Sequence, residues 1–393
     1  MRVTHVITRL IVGGAQENTV ASVLGLRRQS GLEVDLISGL TTGPEGSLES
    51  SFSDCPGALR LARHLVRPIH PWHDALGLLE LTRLLRDRRP DVVHTHSGKA
   101  GVLGRLAARR AGVPIIVHTI HGPSFGPFQG ALSNGLFTAA ERLAARATTH
   151  FVTVSEAMTQ QYLAAGIGRA EQYTRICSGF PLEPFLQTRD GTGIRARFGL
   201  TSEDFVAGKI ARLTDLKGHD DLFSAAPELV RRCPRLKFLL VGDGPWRGRF
   251  EQRIRQLGLQ QHFVLAGLVP PESIPELISV MDVLIHLSLR EGLPRALPQA
   301  LAAGKPVIAT DCDGAREVCL NDETGFLIPP RDATALIQRL LQLEGDPNLR
   351  ERLGQHGREF VRERFPVERM VHELHQLYLR LAAEAGMTTS SRP

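Results

Sequence analysis

The sequence predicts an α/β protein of two domains, each built on a parallel sheet. Short apolar runs alternate with helical patterns along the whole chain, which is typical of strand–helix–strand units. Polar, glycine-rich loops follow the apolar runs, and in open parallel sheets ligands bind outside the carboxyl ends of the strands. At 393 residues the chain can hold two or three domains that each bury a core. The alternation restarts after the polar residues 187–193, which we interpret as a linker.

Composition narrows the class of protein. Hydrophobic content of 42% and charged content of 22% are typical of a globular protein in water. The net charge of +6 fits a solvated, arginine-rich surface, or attraction to phosphate on a nucleotide or an anionic membrane. Basic residues are not interleaved with aromatics, so no nucleic-acid partner is predicted. The five cysteines contain no C-x-x-C pair, which argues against zinc and a disulfide framework.

The lengths of the apolar runs indicate whether the chain crosses or is targeted to a membrane. None approaches the ~18 residues that a transmembrane helix needs, and the first residues are interrupted by His5, Thr8 and Arg9. We therefore interpret the N-terminus as a first strand and not as a signal peptide. We expect a cytoplasmic protein, with peripheral contact to the inner face of the plasma membrane as an open alternative.

Two glycines follow this first predicted strand. Gly13 and Gly14 open a helix that carries Glu17. Glycines at this place let a ligand approach the backbone at a helix N-terminus. Adjacent glycines are also common in plain turns, and the pattern is not G-x-G-x-x-G, so the dinucleotide interpretation is weak.

Four histidines lie at the ends of two predicted strands. His94 and His96 close one strand and are followed by Lys99, while His118 and His121 come directly after the next strand. Metal-binding histidines usually bring cysteines or carboxylates within a short span, and none flank these. We expect hydrogen-bonding roles at a crevice and no metal. The alternative is that the rings are merely packed.

Polar loops in the second half carry two cations and an acid. Arg212 and Lys217 follow a strand predicted at 205–209 and could hold a diphosphate as it leaves, although solvated cations are the common alternative. Glu291 follows a strand predicted at 283–287 and precedes a helix expected to begin near Arg295. Its place at a strand end predicts that it lies beside a ligand.

These motifs resemble those of the retaining glycosyltransferases of family 4, which have the GT-B fold. The segment around Glu291 is similar to the family phrase "S-x-x-E-G-x-P … A-A-G-x-P-V", and the cation loop to "G-R-L-x-x-x-K-G". The "T-x-H-G" that contains His121 resembles the family's acceptor-side histidine segment, with His118 as the rival. Ala211 replaces a glycine of the cation motif, and Gln299 replaces the second glutamate. The resemblance spans about residues 1–380 and is strongest at 206–330.

The resemblance implies the GT-B architecture, with two Rossmann-like domains and a C-terminal helix that crosses back to the first. We place an acceptor-side domain at 1–186, a nucleotide-sugar-binding domain at 187–365, a returning helix at 366–382 and a disordered tail at 386–393. Site residues follow from the matched motifs. The catalytic candidates are His121, Glu291, Arg212 and Lys217; the donor-binding candidates are Gly13, Gly14, Arg212, Lys217, Leu268, Glu291, Gly292, Leu293 and Gln299; the acceptor-side candidates are Glu17, His94, His96, Lys99 and His118.

The implied activity is transfer of a hexosyl or N-acetylhexosaminyl group, with retained configuration, from a UDP- or GDP-linked donor to a hydroxyl of a sugar or lipid-linked sugar acceptor. Such a reaction would serve cell-surface polysaccharide or glycolipid synthesis, with no metal or other cofactor. Gln299 keeps an acceptor oxygen but loses the charge, so we expect altered nucleotide contact and not inactivity. The segment Asp311-Cys312-Asp313 spells D-x-D, which we interpret as a turn.

Two alternatives stay open on the sequence. One is a nucleotide-sugar epimerase or phosphorylase of the same fold, which would need no acceptor alcohol. The other is a non-catalytic nucleotide-sugar-binding partner, for which Gln299 is the hint.

Overall fold

The computed structural model describes residues 1–43, 46–187 and 191–387. These residues form two compact units. The first comprises Met1–Phe180 and the C-terminal segment from Val367, and the second comprises Pro181–Pro366. Each unit is a parallel sheet covered by helices.

The first unit holds a seven-stranded sheet within its described residues, with the order β3-β2-β1-β4-β5-β6-β7. Because the strand order reverses between β1 and β4, this pair is the switch point at which such sheets bind ligands. The strands are β1 Arg2–Ile7, β2 Glu33–Gly39, β3 Leu59–Ala62, β4 Val92–His96, β5 Ile115–Ile120, β6 His150–Thr153 and β7 Tyr173–Arg175. The helices between them are α1 Gly14–Leu26, α2 Pro71–Arg88, α3 Gly98–Ala111, α4 Ala131–Ala145 and α5 Glu156–Ala164.

The second unit holds a six-stranded sheet within its described residues, with the order β10-β9-β8-β11-β12-β13 and a switch point between β8 and β11. Its core joins Phe205, Ala207, Val283 and Ile285 to helices on one face of the sheet. The strands are β8 Phe205–Ile210, β9 Leu236–Val241, β10 Phe263–Gly267, β11 Val283–His286, β12 Val307–Thr310 and β13 Gly325–Ile328. The helices are α6 Glu183–Leu186, α7 Thr192–Arg197, α8 His219–Arg232, α9 Arg247–Gln256, α10 Ile274–Ser279, α11 Ala296–Ala302, α12 Ala333–Gly345 and α13 Pro347–Arg364.

The last helix, α14 (Val367–Glu384), belongs to the first unit. It packs against α1, and a Cβ on Gly25 would lie 2.3 Å from a methyl carbon of Val371, so the two helices need a glycine at their contact. The buried face of α14 carries Met370, Leu374, Leu377, Tyr378 and Leu381. Apolar residues of β1 and β4 meet this face in one core.

Opposite faces of the first sheet carry different residues, because side chains alternate along a strand. Val3 and Ile7 of β1 face the core that includes α14. Val6 faces the core that includes α2 and α3. This alternation decides below which histidines meet one another.

The structure differs from the sequence prediction in three places. The first unit ends at Phe180 and not at residue 186, since α6 packs against α11 of the second unit. Helix α13 was not predicted, although Pro347 in its first turn and Asp346, whose side chain accepts from the Leu349 N–H, are ordinary start signals. Strand β5 continues to Ile120 and so contains His118, which was expected after the strand. Of the predicted tail, residues 388–393 lie outside the described residues.

Candidate functional site

The switch point of the second unit brings the predicted cations and acid to one sheet edge. Arg212 is exposed in the loop after β8, and Lys217 lies just before α8. Glu291 follows β11, the strand that pairs with β8. The Lys217 ammonium nitrogen lies 2.6 Å from Oε1 of Glu291. Two residues 74 positions apart in the chain therefore form one ion pair at this edge.

The Glu291 carboxylate is held ionised. Burial alone would raise its pKa, but the charge of Lys217, the neighbouring His286 ring and the hydrogen bond from Lys217 outweigh burial and hold the pKa well below its usual range. His286 Nε2 lies 3.3 Å from the same oxygen, Oε1. An ionised carboxylate only accepts hydrogen bonds, so this group suits hydroxyl ligands.

The backbone of the Glu291 loop is fixed by an aspartate that the sequence prediction did not use. The Glu291 N–H donates to Oδ2 of Asp313 at 2.8 Å, and the Arg290 guanidinium lies 3.3 Å from Oδ1 of the same carboxylate. Asp311, the other acid of the D-x-D segment, pairs with Arg316 at 2.9 Å. Asp313 and Asp311 thus bind different partners. In the sequence, the D-x-D segment was the one feature that could have drawn attention to Asp313.

A glycine sets the position of Lys217. Gly218 has a φ of +66°, and a Cβ there would lie 1.9 Å from the carbonyl oxygen of Leu287. Because that neighbour is backbone and cannot swing away, only glycine fits at this turn.

Lys209 is a second residue that sequence reasoning missed. It lies on β8 at 1% exposure, and its ammonium nitrogen makes no hydrogen bond with the described residues. Burial, with a smaller contribution from the charge of Lys217, lowers its pKa to about 7. The available signal was a lysine inside an otherwise apolar strand.

The remaining donor-side candidates differ in exposure. Gln299 lies on α11 at 8% exposure, and Gly292 is buried. Leu293 is half-buried, whereas Leu268 follows β10 and is 48% exposed.

The first unit places its predicted glycines at a helix start. Gly13 precedes α1 and Gly14 is its first residue, while Glu17 is half-buried in the first turn. Lys99, in the first turn of α3, is engaged by the protein: its ammonium pairs with Asp74 and donates to the carbonyl of Pro68.

Histidines from β1, β4 and the end of β5 form a hydrogen-bonded chain on the sheet face that carries α14. His121 Nε2 lies 2.9 Å from His96 Nδ1, and His96 Nε2 lies 2.8 Å from His5 Nδ1. His5 Nε2 lies 3.4 Å from the Tyr378 hydroxyl, which lies 2.5 Å from His94 Nδ1. His94 Nε2 ends the chain at the Thr119 hydroxyl, 2.6 Å away. We call this set the histidine chain.

His118 and His121 lie on opposite sides of the sheet. His118 is 2% exposed, its Nδ1 is 2.9 Å from the Thr95 hydroxyl, and its ring packs against Gly101 of α3. His121 is half-buried and bonded to His96. Three positions separate the two histidines, and an odd separation in extended chain places side chains on different faces.

Burial keeps the histidine chain uncharged. It lowers the pKa of His5 to about 3 and that of His121 to about 4. It also holds the pKa values of His94 and His96 well below their usual range, with neighbouring histidines adding to the effect. All four rings are therefore neutral imidazoles near pH 7.

Three of these rings lie close enough together to share a metal ion. Ring nitrogens of His5, His94 and His96 lie within 4.8 Å of one another. Every ring nitrogen of the three is already in a hydrogen bond of the histidine chain. A metal would have to break several of those bonds, so the arrangement suits mutual hydrogen bonding better.

Each unit is a Rossmann-like parallel sheet with polar residues at its switch point, which is the architecture of the GT-B fold. Residues 13–179 match the family described as "Glycosyl transferase 4-like domain", and residues 192–360 match "Glycosyl transferases group 1". The chain is 32% identical over 314 residues to EpsD of Bacillus subtilis (strain 168), which is assigned as a glycosyltransferase, covering 76% of this chain and 79% of that one. It belongs to the family-4-like glycosyltransferases.

Two further relatives fit this assignment. The chain is 28% identical over 319 residues to the UDP-Gal:alpha-D-GlcNAc-diphosphoundecaprenol alpha-1,3-galactosyltransferase of Escherichia coli, covering 80% of this chain and 82% of that one. The fold matches the crystal structure of HepE of Anabaena in complex with UDP-glucose, with a TM-score of 0.82, 22% identity, 97% of this chain and 100% of that chain. Among the described residues, no helix has the length and apolar character needed to cross a membrane.

Proposed function

We propose that this glycosyltransferase moves a hexosyl or N-acetylhexosaminyl group, with retained configuration, from a UDP- or GDP-linked donor to a hydroxyl of a sugar or lipid-linked sugar. The observation that carries the proposal is the pairing of Lys217 with the ionised Glu291 at the switch point of the second unit. A cation and an ionised acid at one sheet edge suit a sugar diphosphate.

The donor-side roles follow from charge. Lys217 and Arg212 would neutralise the diphosphate as it leaves, because oriented cations stabilise developing negative charge. Glu291 would accept hydrogen bonds from sugar hydroxyls, with Asp313 holding its backbone in place. Gln299 would contact the nucleotide ribose through its amide.

The first unit would supply the acceptor-side groups, with His121 as the leading residue. Of the two rival histidines, His121 is partly exposed, whereas His118 is buried with only 2% of its surface exposed. Gly13 and Gly14 would let a ligand approach the start of α1. Lys99 would act only if it left Asp74, with which it is paired.

Relatives support the choice of ligands. The Escherichia coli relative is named for a UDP-galactose donor and a diphosphoundecaprenol-linked acceptor, and HepE was solved with UDP-glucose. The capsular polysaccharide biosynthesis glycosyltransferase CapM of Staphylococcus aureus is 25% identical over 318 residues. We therefore place the reaction in polysaccharide or glycolipid synthesis on the cytoplasmic side, with the acceptor's lipid as the reason for membrane contact. Metal independence is part of the proposal, since Arg212 and Lys217 would supply the positive charge that a metal otherwise brings to the diphosphate.

Ligand-induced thermal stabilisation tests the donor site. A ligand that binds only the folded protein at a hundred times its Kd adds about 2.7 kcal/mol of stability. We expect UDP- or GDP-sugars to raise Tm, and Arg212→Ala or Lys217→Ala to abolish the shift. The matched control is Arg231→Ala, which alters an exposed arginine that pairs with Glu228 of the same helix. This variant should keep the Tm shift. No shift with any nucleotide sugar would overturn the proposal.

Product analysis tests the reaction. We expect nucleoside diphosphate to be released only with a sugar or lipid-linked acceptor, unchanged by EDTA, and to give a product with the donor's anomeric configuration. Conversion of the donor sugar with no net release of nucleoside diphosphate would favour the epimerase alternative, and release that needs only orthophosphate would favour the phosphorylase. Binding without turnover would favour the non-catalytic partner.

A further inference from the structure

The direction of the histidine chain has consequences for His121. A neutral imidazole has one N–H and one lone pair, so a ring that donates at one nitrogen accepts at the other. The Tyr378 hydroxyl, placed between two imidazoles, likewise accepts from one and donates to the other. Every bond in the histidine chain must therefore run in the same sense. Either all donors point inward from His121 to Thr119, or all point outward from Thr119 to His121.

The buried end of the histidine chain, at Thr119, distinguishes the inward sense from the outward sense. Thr119 is 4% exposed, and His94 Nε2 is its one side-chain hydrogen-bond partner among the described residues. In the inward sense Thr119 accepts from His94, and its own hydroxyl hydrogen then has no acceptor. A buried donor without an acceptor is unfavourable, because it has lost its hydrogen bond to water and gained none in the protein. In the outward sense Thr119 donates to His94 and no group at this end is left unsatisfied.

The outer end imposes no opposing preference. His121 is half-buried, and its Nδ1 makes no hydrogen bond with the residues that the structure describes. Water or a ligand can meet that nitrogen whether it carries a proton or a lone pair. The choice is therefore made at the buried end, by Thr119, and transmitted through Tyr378 on α14.

We propose that Thr119 and Tyr378 are positioning residues that hold His121 in the tautomer with its proton on Nδ1. The same sense places the proton on Nδ1 in His94, His5 and His96. Link by link, Thr119 donates to His94 Nε2, His94 Nδ1–H to the Tyr378 oxygen, and Tyr378 to His5 Nε2. His5 Nδ1–H then donates to His96 Nε2, and His96 Nδ1–H to His121 Nε2.

The fixed tautomer limits what His121 can do. Its outer nitrogen donates a hydrogen bond to a ligand oxygen and offers no lone pair to a proton. His121 would therefore orient a sugar hydroxyl or stabilise negative charge, and would not act as the base that deprotonates the acceptor. This consequence rests on the proposed function, whereas the tautomer itself does not.

Nitrogen NMR of the full chain, labelled with ¹⁵N-histidine, observes the tautomer directly and needs no ligand. His262 provides an internal reference, because its Nδ1 lies 2.8 Å from the carbonyl oxygen of Leu236 and a carbonyl can only accept. Single substitutions assign the resonances. We expect Nδ1–H, with unprotonated Nε2, in His121 and His96. An Nε2–H signal for His121 would overturn the inference even if sugar transfer were found.

Tyr378→Phe tests the transmission. Without the Tyr378 hydroxyl, the hydrogen-bonded path from Thr119 to His5 is broken. The two senses then differ only in what His5 Nε2 leaves unsatisfied: an N–H in the inward sense, or a lone pair in the outward sense. We expect the second tautomer of His121 to become detectable and kcat/KM to fall about twofold, in proportion to the fraction of His121 that leaves the Nδ1–H tautomer. An unchanged His121 spectrum would refute the role of Tyr378.

Two further variants make the result specific. Tyr173→Phe removes a phenol that donates to the carbonyl of Ile167 at 2.7 Å, outside the histidine chain, and should leave the His121 tautomer unchanged. Thr119→Val removes the inner donor with little change in volume and should resemble Tyr378→Phe. If Tyr378→Phe fails to fold, Thr119→Val decides the question by the same spectrum.

Discussion

Replacing Lys209 by methionine should stabilise the second unit by an amount that depends on pH. The buried ammonium has no hydrogen bond among the described residues, and its pKa is lowered to about 7 from 10.5. One pKa unit corresponds to about 1.4 kcal/mol. The lysine therefore costs the folded unit on the order of 5 kcal/mol below pH 7. Methionine keeps the length of the side chain and needs no partner, so the variant should recover most of this cost.

The sign follows from proton binding. Between pH 7 and 10.5 the unfolded chain holds the lysine proton more tightly than the folded unit does, so the contribution of Lys209 to stability rises with pH in this window. The advantage of Lys209→Met should therefore be largest at pH 6 and shrink to about 1 kcal/mol near pH 9.5.

Urea unfolding at the two pH values, followed by tryptophan fluorescence, measures this difference. Trp246 packs on the core of the second unit, whereas Trp72 of the first unit is 71% exposed and contributes little change. Lys237→Met, on the neighbouring strand β9 with its ammonium bonded to the carbonyl of Gln261, is the control and should give no gain. Equal or lower stability of Lys209→Met at pH 6 would refute the reasoning.

Two further substitutions test contacts that the fold requires. The Arg105 guanidinium is fully buried and lies 2.5 Å from the Glu141 carboxylate, so Glu141→Gln leaves it without a countercharge. We expect the free energy of unfolding, measured in urea, to fall by about 3 kcal/mol. The control Glu156→Gln, at an exposed position, should lower it by less than about 0.5 kcal/mol. Gly218→Ala should abolish nucleotide-sugar stabilisation, because its Cβ would meet backbone at 1.9 Å. Gly258→Ala, with a similar φ of +69° but open space around it, should cost only about 1 kcal/mol and keep binding. Wild-type-like stability of Glu141→Gln, or a Tm shift retained by Gly218→Ala, would contradict these expectations.

Much of the fold could be predicted because its signals are local. Apolar runs marked nearly all the strands, and Gly304, with a φ of +72°, stands just past the end of α11, the usual place for a glycine that stops a helix. Helix α13 was missed because its surface is strongly charged and its apolar positions are few. The first-unit boundary was misplaced because α6 packs on α11, a contact that polarity alone does not reveal.

The sequence by itself determined which residues stand at the ends of strands, and therefore that Arg212, Lys217 and Glu291 belong to one sheet edge. It also carried the motifs that identify the family. The roles of these residues in donor and acceptor binding stay predictions that the experiments above address.

Only the tertiary structure decided the pairings. The Lys217–Glu291 bond, the burial of Lys209 and the histidine chain join residues far apart in sequence, with 373 positions between His5 and Tyr378. The register of β1 against β4 places His5 beside His94, and the docking of α14 brings Tyr378 to both. Strand pairing and helix packing depend on the whole core, so no local pattern could have shown which hydrogen bond each histidine makes.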